Sequence, residues 1–185
     1  LLVASAVFYG WWDWRFLGLI GAVILVSWAV AKYAAARRPG DEARRLALIG
    51  GIAFNLSVIA IFKYFGFFAE SARAMLSTVG VDPGWTALKI LLPVGISCYV
   101  FQAISYMVDV ARGDLAPEHR LRRVALYVAF FPQLVAGPIV RATSFFPQME
   151  REKTLSSALF FAGLRAFLLG FAYKAGIADN LAQFV

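Results

Sequence analysis

Apolar runs long enough to cross a bilayer alternate with short polar segments along nearly the whole chain. A helical crossing takes roughly 20 mostly apolar residues, and residues 16–34 form the first complete stretch of that kind. Residues 46–68, 87–110 and 155–178 predict three more. Residues 1–10 are too short to span and read as the end of a helix that begins upstream. Residues 124–140 are also apolar, but Pro132, Gly137 and Pro138 interrupt them. Non-helical backbone at membrane depth survives only where protein or a water-filled cavity surrounds it. This stretch therefore predicts a re-entrant or interfacial segment that forms a cavity wall. The predicted fold class is an all-α integral membrane protein, a polytopic helical bundle with a proline-broken re-entrant segment.

The polar segments give the bundle an orientation. Trp11, Trp12 and Trp14, with Asp13 and Arg15, mark a membrane interface, where indole rings collect. Arg37, Arg38, Arg44 and Arg45 flank Pro39-Gly40 after the first span. The next connection, residues 70–85, carries one arginine against two acidic residues. Arg112, Arg120, Arg122 and Arg123 follow the third span. Arginine-poor and arginine-rich connections thus alternate as consecutive crossings require. The positive-inside rule puts residues 37–45 and 112–123 in the cytoplasm. Arg141, Arg151 and Lys153 place basic residues on both flanks of 124–140, which fits a segment returning to the side it left.

Composition supports the same picture. Of 185 residues, 61% are hydrophobic and 16% charged, against about a quarter charged in soluble domains. A formal net charge of +7 could point to nucleic acid, but the basic residues sit in clusters between apolar spans, so none is expected to bind. Lipid is the expected surrounding. The single cysteine, Cys98, excludes an intramolecular disulfide, and the single histidine, His119, excludes a multi-histidine metal centre. No metal ligands and no cofactor are predicted.

Ionisable groups at bilayer depth are costly. Arg165, near the middle of the last span, either pairs with a carboxylate or carbonyl on a neighbouring helix or contacts an anionic group in a cavity. Lys63, in the outer third of its helix, reads as a snorkelling side chain beside Tyr64. Asp109 and Arg112 suggest an exposed interfacial ion pair, and Ser97, Gln102 and Ser105 suggest interhelical hydrogen bonds. Pro93 with Gly95 predicts a kink or a late helix start. Cys98 reads as packing and His119 as a solvated loop residue. No complete catalytic constellation is present, and these features alone do not separate an enzyme from a transporter.

Three stretches carry a resemblance: LLPVGISCYVFQAISYMVDVARG from Leu91, FFPQLVAGPIVR from Phe130 and YKAGIADNLA from Tyr173. In order and spacing they resemble the membrane-bound O-acyltransferases, in particular the alginate O-acetyltransferase membrane subunit. FYGWWDWRFL near the start and IFKYFGFF around Lys63 fit the same pattern. The resemblance covers nearly the whole chain, as the N-terminal part of one transmembrane domain. It implies acyl transfer from a cytoplasmic thioester such as acetyl-CoA, a substrate and not a cofactor, toward an extracytoplasmic polysaccharide such as alginate, with periplasmic partner proteins completing the transfer. The family's catalytic histidine is expected beyond Val185; His119 does not match it, so the 185-residue chain alone is expected to be inactive. Gln133, Gly137, Pro138 and Arg141 match the broken motif and, with Arg165, are the candidate donor conduit. Lys174, Asp179 and Asn180 match the third motif, in expected roles of helix termination and packing. A transporter or flippase, or a non-catalytic scaffold for cell-envelope polymer modification, are the alternatives. The orientation has a direct test: cysteines placed at the Gly40 and Gly113 turns should stay unlabelled by a membrane-impermeant thiol reagent in intact cells, and labelling of either would reverse the topology.

Overall fold

The computed structural model of the chain describes residues 1–78, 93–151 and 156–182, and among these every regular element is helical. α1 (Leu2–Trp12) ends where Asp13 turns extended. The Asp13 carboxylate accepts the Arg15 backbone N–H at 2.9 Å and the guanidinium at 2.7 Å. That short pairing fixes the corner and holds the Asp13 carboxyl below its usual range. Trp11 and Trp14 flank the corner, both exposed. α2 (Arg15–Ala35) follows, 21 residues long, or about 31 Å at the helical rise.

A Pro39-Gly40 turn, with Gly40 at φ +93°, leads to α3 (Glu42–Ile59). Its N-cap Asp41 accepts the Ala43 N–H at 3.0 Å, satisfying one of the amides a helix start leaves unpaired. The helix passes through a π-turn at Ala60–Tyr64 and continues as α4 (Phe65–Thr78). One turn before the π-turn, the Ser57 hydroxyl donates to the Ala53 carbonyl at 2.8 Å, a bond that loosens the local ladder. Residues 70–78 therefore extend a helix where a loop was expected. They contain no glycine or proline to stop it. Lys63 lies in the π-turn with its ammonium 5.7 Å from the Tyr64 ring, an exposed arrangement that matches the snorkelling expectation.

α5 (Ile96–Arg112) begins late, after Pro93, with Gly95 at φ +71° as its N-cap; residues 87–92 of the expected span lie outside the described residues. It ends at Gly113, φ +84°, where the Asp114 N–H reaches back to the Asp109 carbonyl at 3.0 Å, the pattern of a glycine-closed helix end. Short helices α6 (Leu121–Val128), α7 (Phe131–Ala136) and α8 (Ala142–Glu150) follow. The apolar segment 124–140 is thus two helices, broken at Ala129-Phe130, and an extended stretch from Gly137.

The first compact unit, Leu1–Met149, is built around α5. α2 and α3 pack on it and on each other. Tyr99, Val100, Ala103, Tyr106 and Met107 of α5 are fully covered, together with Val23 and Ala31 of α2 and Val124, Tyr127 and Val128 of α6. Between α2 and α3, Asn55 donates to the Ser27 hydroxyl at 3.2 Å and to the Gly51 carbonyl at 2.8 Å. Only small residues fit there: a methyl on Gly51 would come within 3.0 Å of Met107 and Val30.

The expected Asp109–Arg112 ion pair is not formed. Asp109 is buried, and its carboxylate accepts the Ser105 hydroxyl at 3.4 Å within α5. The helical period accounts for this: Asp109 shares a face with buried Gln102 and Tyr106. Ser105 therefore bonds within its helix, and Gln102 has no partner among the described residues. Cys98 is half-buried and free.

The second unit, Glu150–Val185, consists of α9 (Ser157–Tyr173), a π-turn at Lys174–Ala178 and α10 (Asp179–Leu181). Ser156 caps α9 by accepting the Leu159 N–H at 3.2 Å. Asn180 donates to the carbonyls of Ala175 at 3.3 Å and Gly176 at 2.9 Å, and Lys174 pairs with Asp179 at 3.2 Å. The third motif thus builds a π-turn followed by one further helical turn, which ends at Leu181.

Among the described residues, three helical stretches are long and apolar enough to cross a membrane: Arg15–Ala35, Glu42–Phe68 and Ser157–Leu181. Within the first two, only 33% and 22% of the most apolar window is buried inside the protein. The remaining apolar surface needs lipid against it, and the chain is a membrane protein. α5, at 17 residues, is about 26 Å long and buries the face the others share. Holding its far end, Trp28 donates its indole N–H to the Glu118 carbonyl at 2.9 Å. Trp28→Phe should lower stability by about 1–2 kcal/mol, read as a fall in thermal unfolding temperature in detergent; an unchanged melt would show that the bond contributes nothing.

Candidate functional site

Two of the three motif stretches meet backbone to backbone. Gly95, at the head of α5, lies so close to α7 that a methyl group on it would sit 2.7 Å from the Leu134 carbonyl oxygen. Its left-handed conformation is one that side-chain-bearing residues avoid. The glycine of the first motif is therefore required twice, by its own φ and by the second motif's approach.

Within the second motif, Gln133 is buried and its amide donates to the Pro138 carbonyl at 2.7 Å. This bond closes the chain reversal over Gly137. A methyl on Gly137 would lie 2.7 Å from Gln133 Cα, so the reversal admits only glycine. Pro138 contributes a carbonyl that the helix before it cannot satisfy. Tyr127 of α6 pins the following extended stretch by donating its hydroxyl to the Val140 carbonyl at 2.9 Å. Its ring packs tilted against Phe145 and edge-on against Phe146 of α8.

α1 completes the arrangement. Phe8 packs against Phe131 with ring centroids 5.2 Å apart, and Tyr9 meets Tyr99 edge-on at 6.3 Å. The Ser5 hydroxyl accepts the Phe131 N–H at 3.4 Å. Between α1, the 93–95 turn and α7 lies a cavity of about 870 Å³, lined by Ala4, Val7, Phe8, Tyr9, Trp11, Val94, Phe131 and Leu134. The lining carries no charge among the described residues. Behind it, the hydroxyls of Tyr9 and Tyr99 and the Gln102 amide are buried without hydrogen-bond partners among the described residues. Chemically the cavity suits an apolar group; the phosphates of a nucleotide would find no countercharge in it.

The predicted conduit residues separate into three environments. Gln133, Gly137 and Pro138 form one turn, where the first two act on the backbone and none faces the cavity as a lining residue. Arg141 stands exposed at the start of α8, its carbonyl accepting the Ser144 N–H at 3.0 Å and the Phe145 N–H at 3.1 Å. Arg165 lies at the midpoint of α9 in the second unit, where none of that unit's described residues bonds it. His119 is exposed in the loop after α5. Among the described residues there is no group of three or more histidine, cysteine or carboxylate side chains able to hold a metal ion.

Sequence reasoning missed Tyr127 and Ser5. Tyr127 left a signal, since a tyrosine in an otherwise apolar stretch needs an acceptor for its hydroxyl. Ser5 left none. The meeting of the two motifs at Gly95 yields a discriminating prediction. Gly95→Ala should cost about 3 kcal/mol, from strain and contact together, whereas Gly113→Ala, with open space around it, should cost about 1 kcal/mol. Equal losses in thermal unfolding would mean that the α5–α7 contact is slack.

Sequence comparison extends these observations. The chain is 41% identical over 184 residues to the probable alginate O-acetylase AlgI of Azotobacter vinelandii, covering 98% of this chain and 36% of that protein. To the protein of the same name from Pseudomonas aeruginosa it is 38% identical over 182 residues, 98% of this chain and 35% of the relative. A peptidoglycan O-acetyltransferase of Helicobacter pylori is 29% identical over 210 residues, covering all of this chain and 39% of the relative. The chain therefore spans about a third of the length of the curated relatives it matches. No family model and no solved structure matches it.

Proposed function

Starting from a chain whose resemblance to the polysaccharide-modifying membrane-bound O-acyltransferases is borne out across 98% of its length, we propose that it forms the donor-side part of an O-acetyltransferase. The whole protein would carry an acetyl group from a cytoplasmic thioester such as acetyl-CoA toward a polysaccharide outside the bacterial cytoplasmic membrane. Periplasmic partner proteins would then place it on the polymer. One observation carries the reading: the matched stretch covers 98% of the chain, and so spans both motifs that build the apolar cavity. Two relatives named for different polymers, alginate and peptidoglycan, share the transfer of acetyl to a sugar hydroxyl, which is the chemistry proposed.

In that reaction the hydroxyl oxygen attacks the thioester carbonyl, a base takes the hydroxyl proton, and the thiolate leaves. A general base must reach the hydroxyl within hydrogen-bond distance; His119, exposed in its loop, is not assigned that part. The contribution proposed for this chain is the passage. Segment 124–140 acts as a re-entrant wall, its breaks at Ala129-Phe130 and Gly137 tied off by Tyr127 and Gln133. An apolar cavity beside it excludes water, which would otherwise hydrolyse the thioester. Arg141, exposed next to the wall, meets a phosphate of the donor. Arg165 contacts an anionic or polar group along the same path.

The test uses the full-length protein in proteoliposomes supplied with labelled acetyl-CoA. Arg141→Gln should raise KM for the donor about fivefold to tenfold and leave kcat within twofold, as expected when a binding contact common to ground and transition states is lost. An unchanged KM would assign Arg141 to lipid headgroups and remove the donor route.

A further inference from the structure

A second concave site lies at the start of α3, away from the motif cavity. It measures about 460 Å³ and is lined by Gly40, Asp41, Arg44, Arg45, Leu48, Ile49 and Ile52. The α3 members recur at helical spacing, so they form one stripe. The stripe changes character along its length: charged for its first turn, apolar for the next two. It opens the stretch Glu42–Phe68, one of the three able to cross a membrane. Its charged end therefore falls at headgroup level and its apolar end at the level of acyl chains.

The charges in the groove are not equally engaged. Arg44 donates to the Ala111 carbonyl at the end of α5 and to the Arg37 carbonyl at 3.5 Å, which holds it as a wall. Asp41 accepts the Ala43 N–H at 3.0 Å and pairs with Arg37 at 3.3 Å, so its negative charge is compensated. Arg45 is exposed; its backbone N–H donates to the Asp41 carbonyl at 3.1 Å, and no described residue bonds its guanidinium. Below it, Leu48 and Ile52 are half-buried against the core while Ile49 is 52% exposed. A guanidinium with its donors free, over an apolar channel, matches one kind of occupant in both charge and polarity.

We propose that this groove binds an anionic phospholipid, its phosphate on Arg45 and one acyl chain along Leu48, Ile49 and Ile52. The site is independent of the acyl-transfer reading, because it depends only on α3 and the turn before it. A basic side chain near an anionic headgroup contributes enough for about a fivefold change in binding.

The experiment is native mass spectrometry of the full-length protein, released from detergent with phosphatidylglycerol or phosphatidylcholine of matched chains. Phosphatidylglycerol should be retained at least fivefold better. Arg45→Gln should abolish that preference, Arg45→Lys should keep most of it, and Arg122→Gln, an exposed cation elsewhere, should leave it intact. Ile49→Asn should lower retention of both lipids. Equal retention of the two lipids would overturn the site. So would equal losses from Arg45→Gln and Arg122→Gln, which would mean diffuse surface attraction. Displacement of the lipid by glycerol phosphate at equal concentration would also overturn it, because the apolar channel would then contribute nothing.

Discussion

Interruptions of the helices in this chain free backbone carbonyls and amides that the helices themselves cannot satisfy. A buried, unpaired backbone group costs about as much as a lost hydrogen bond or more. The structure answers nearly every break with one side chain aimed at one backbone atom. Tyr127 takes the Val140 carbonyl, Gln133 the Pro138 carbonyl and Ser5 the Phe131 amide. Trp28 and Tyr106 hold the two backbone groups of Glu118, the indole donating to its carbonyl and the phenol oxygen accepting its N–H. Arg44 serves the Ala111 carbonyl at the end of α5. These clamps come from six different helices, so satisfying the backbone also ties the bundle together.

The same requirement explains why a cavity exists beside α7. A continuous helix through 124–140 would satisfy its own backbone and pack flat against α1. Proline at position 132 and glycine at 137 prevent that, and the clamps stabilise the broken path that results. α7 is short and Gly95 draws it close to α5, and an apolar space lies between α1, the 93–95 turn and α7. The proposed transfer path and the fold thus have one origin, a segment kept from being a helix and made tolerable by its neighbours.

Arginine is used in contrasting ways. Arg15 fixes a corner through Asp13, and Arg123 pairs with Glu118 at 2.8 Å to brace the loop before α6. Arg44 closes a helix end. Arg45 and Arg141 remain on the surface at the two places where anionic ligands are proposed, beside an apolar groove and beside the broken segment. A guanidinium engaged by the backbone has little left to offer a ligand, whereas an exposed one retains its five donors.

The sequence by itself determined the apolar spans at 16–34 and 46–68, the late start of α5 after Pro93, and the break within 124–140. These follow from run length, helix-breaking residues and the need to avoid unpaired backbone, all of which are local. It also held the motifs that tie the chain to its relatives. Tertiary structure decided what each polar side chain does. Asp109 turned inward to Ser105 instead of pairing with Arg112, Gln133 bonds its own motif's backbone, and Asn180 supports a π-turn within the third motif. A side chain's partner depends on which helix faces it and at what distance, and spacing along one chain does not encode that.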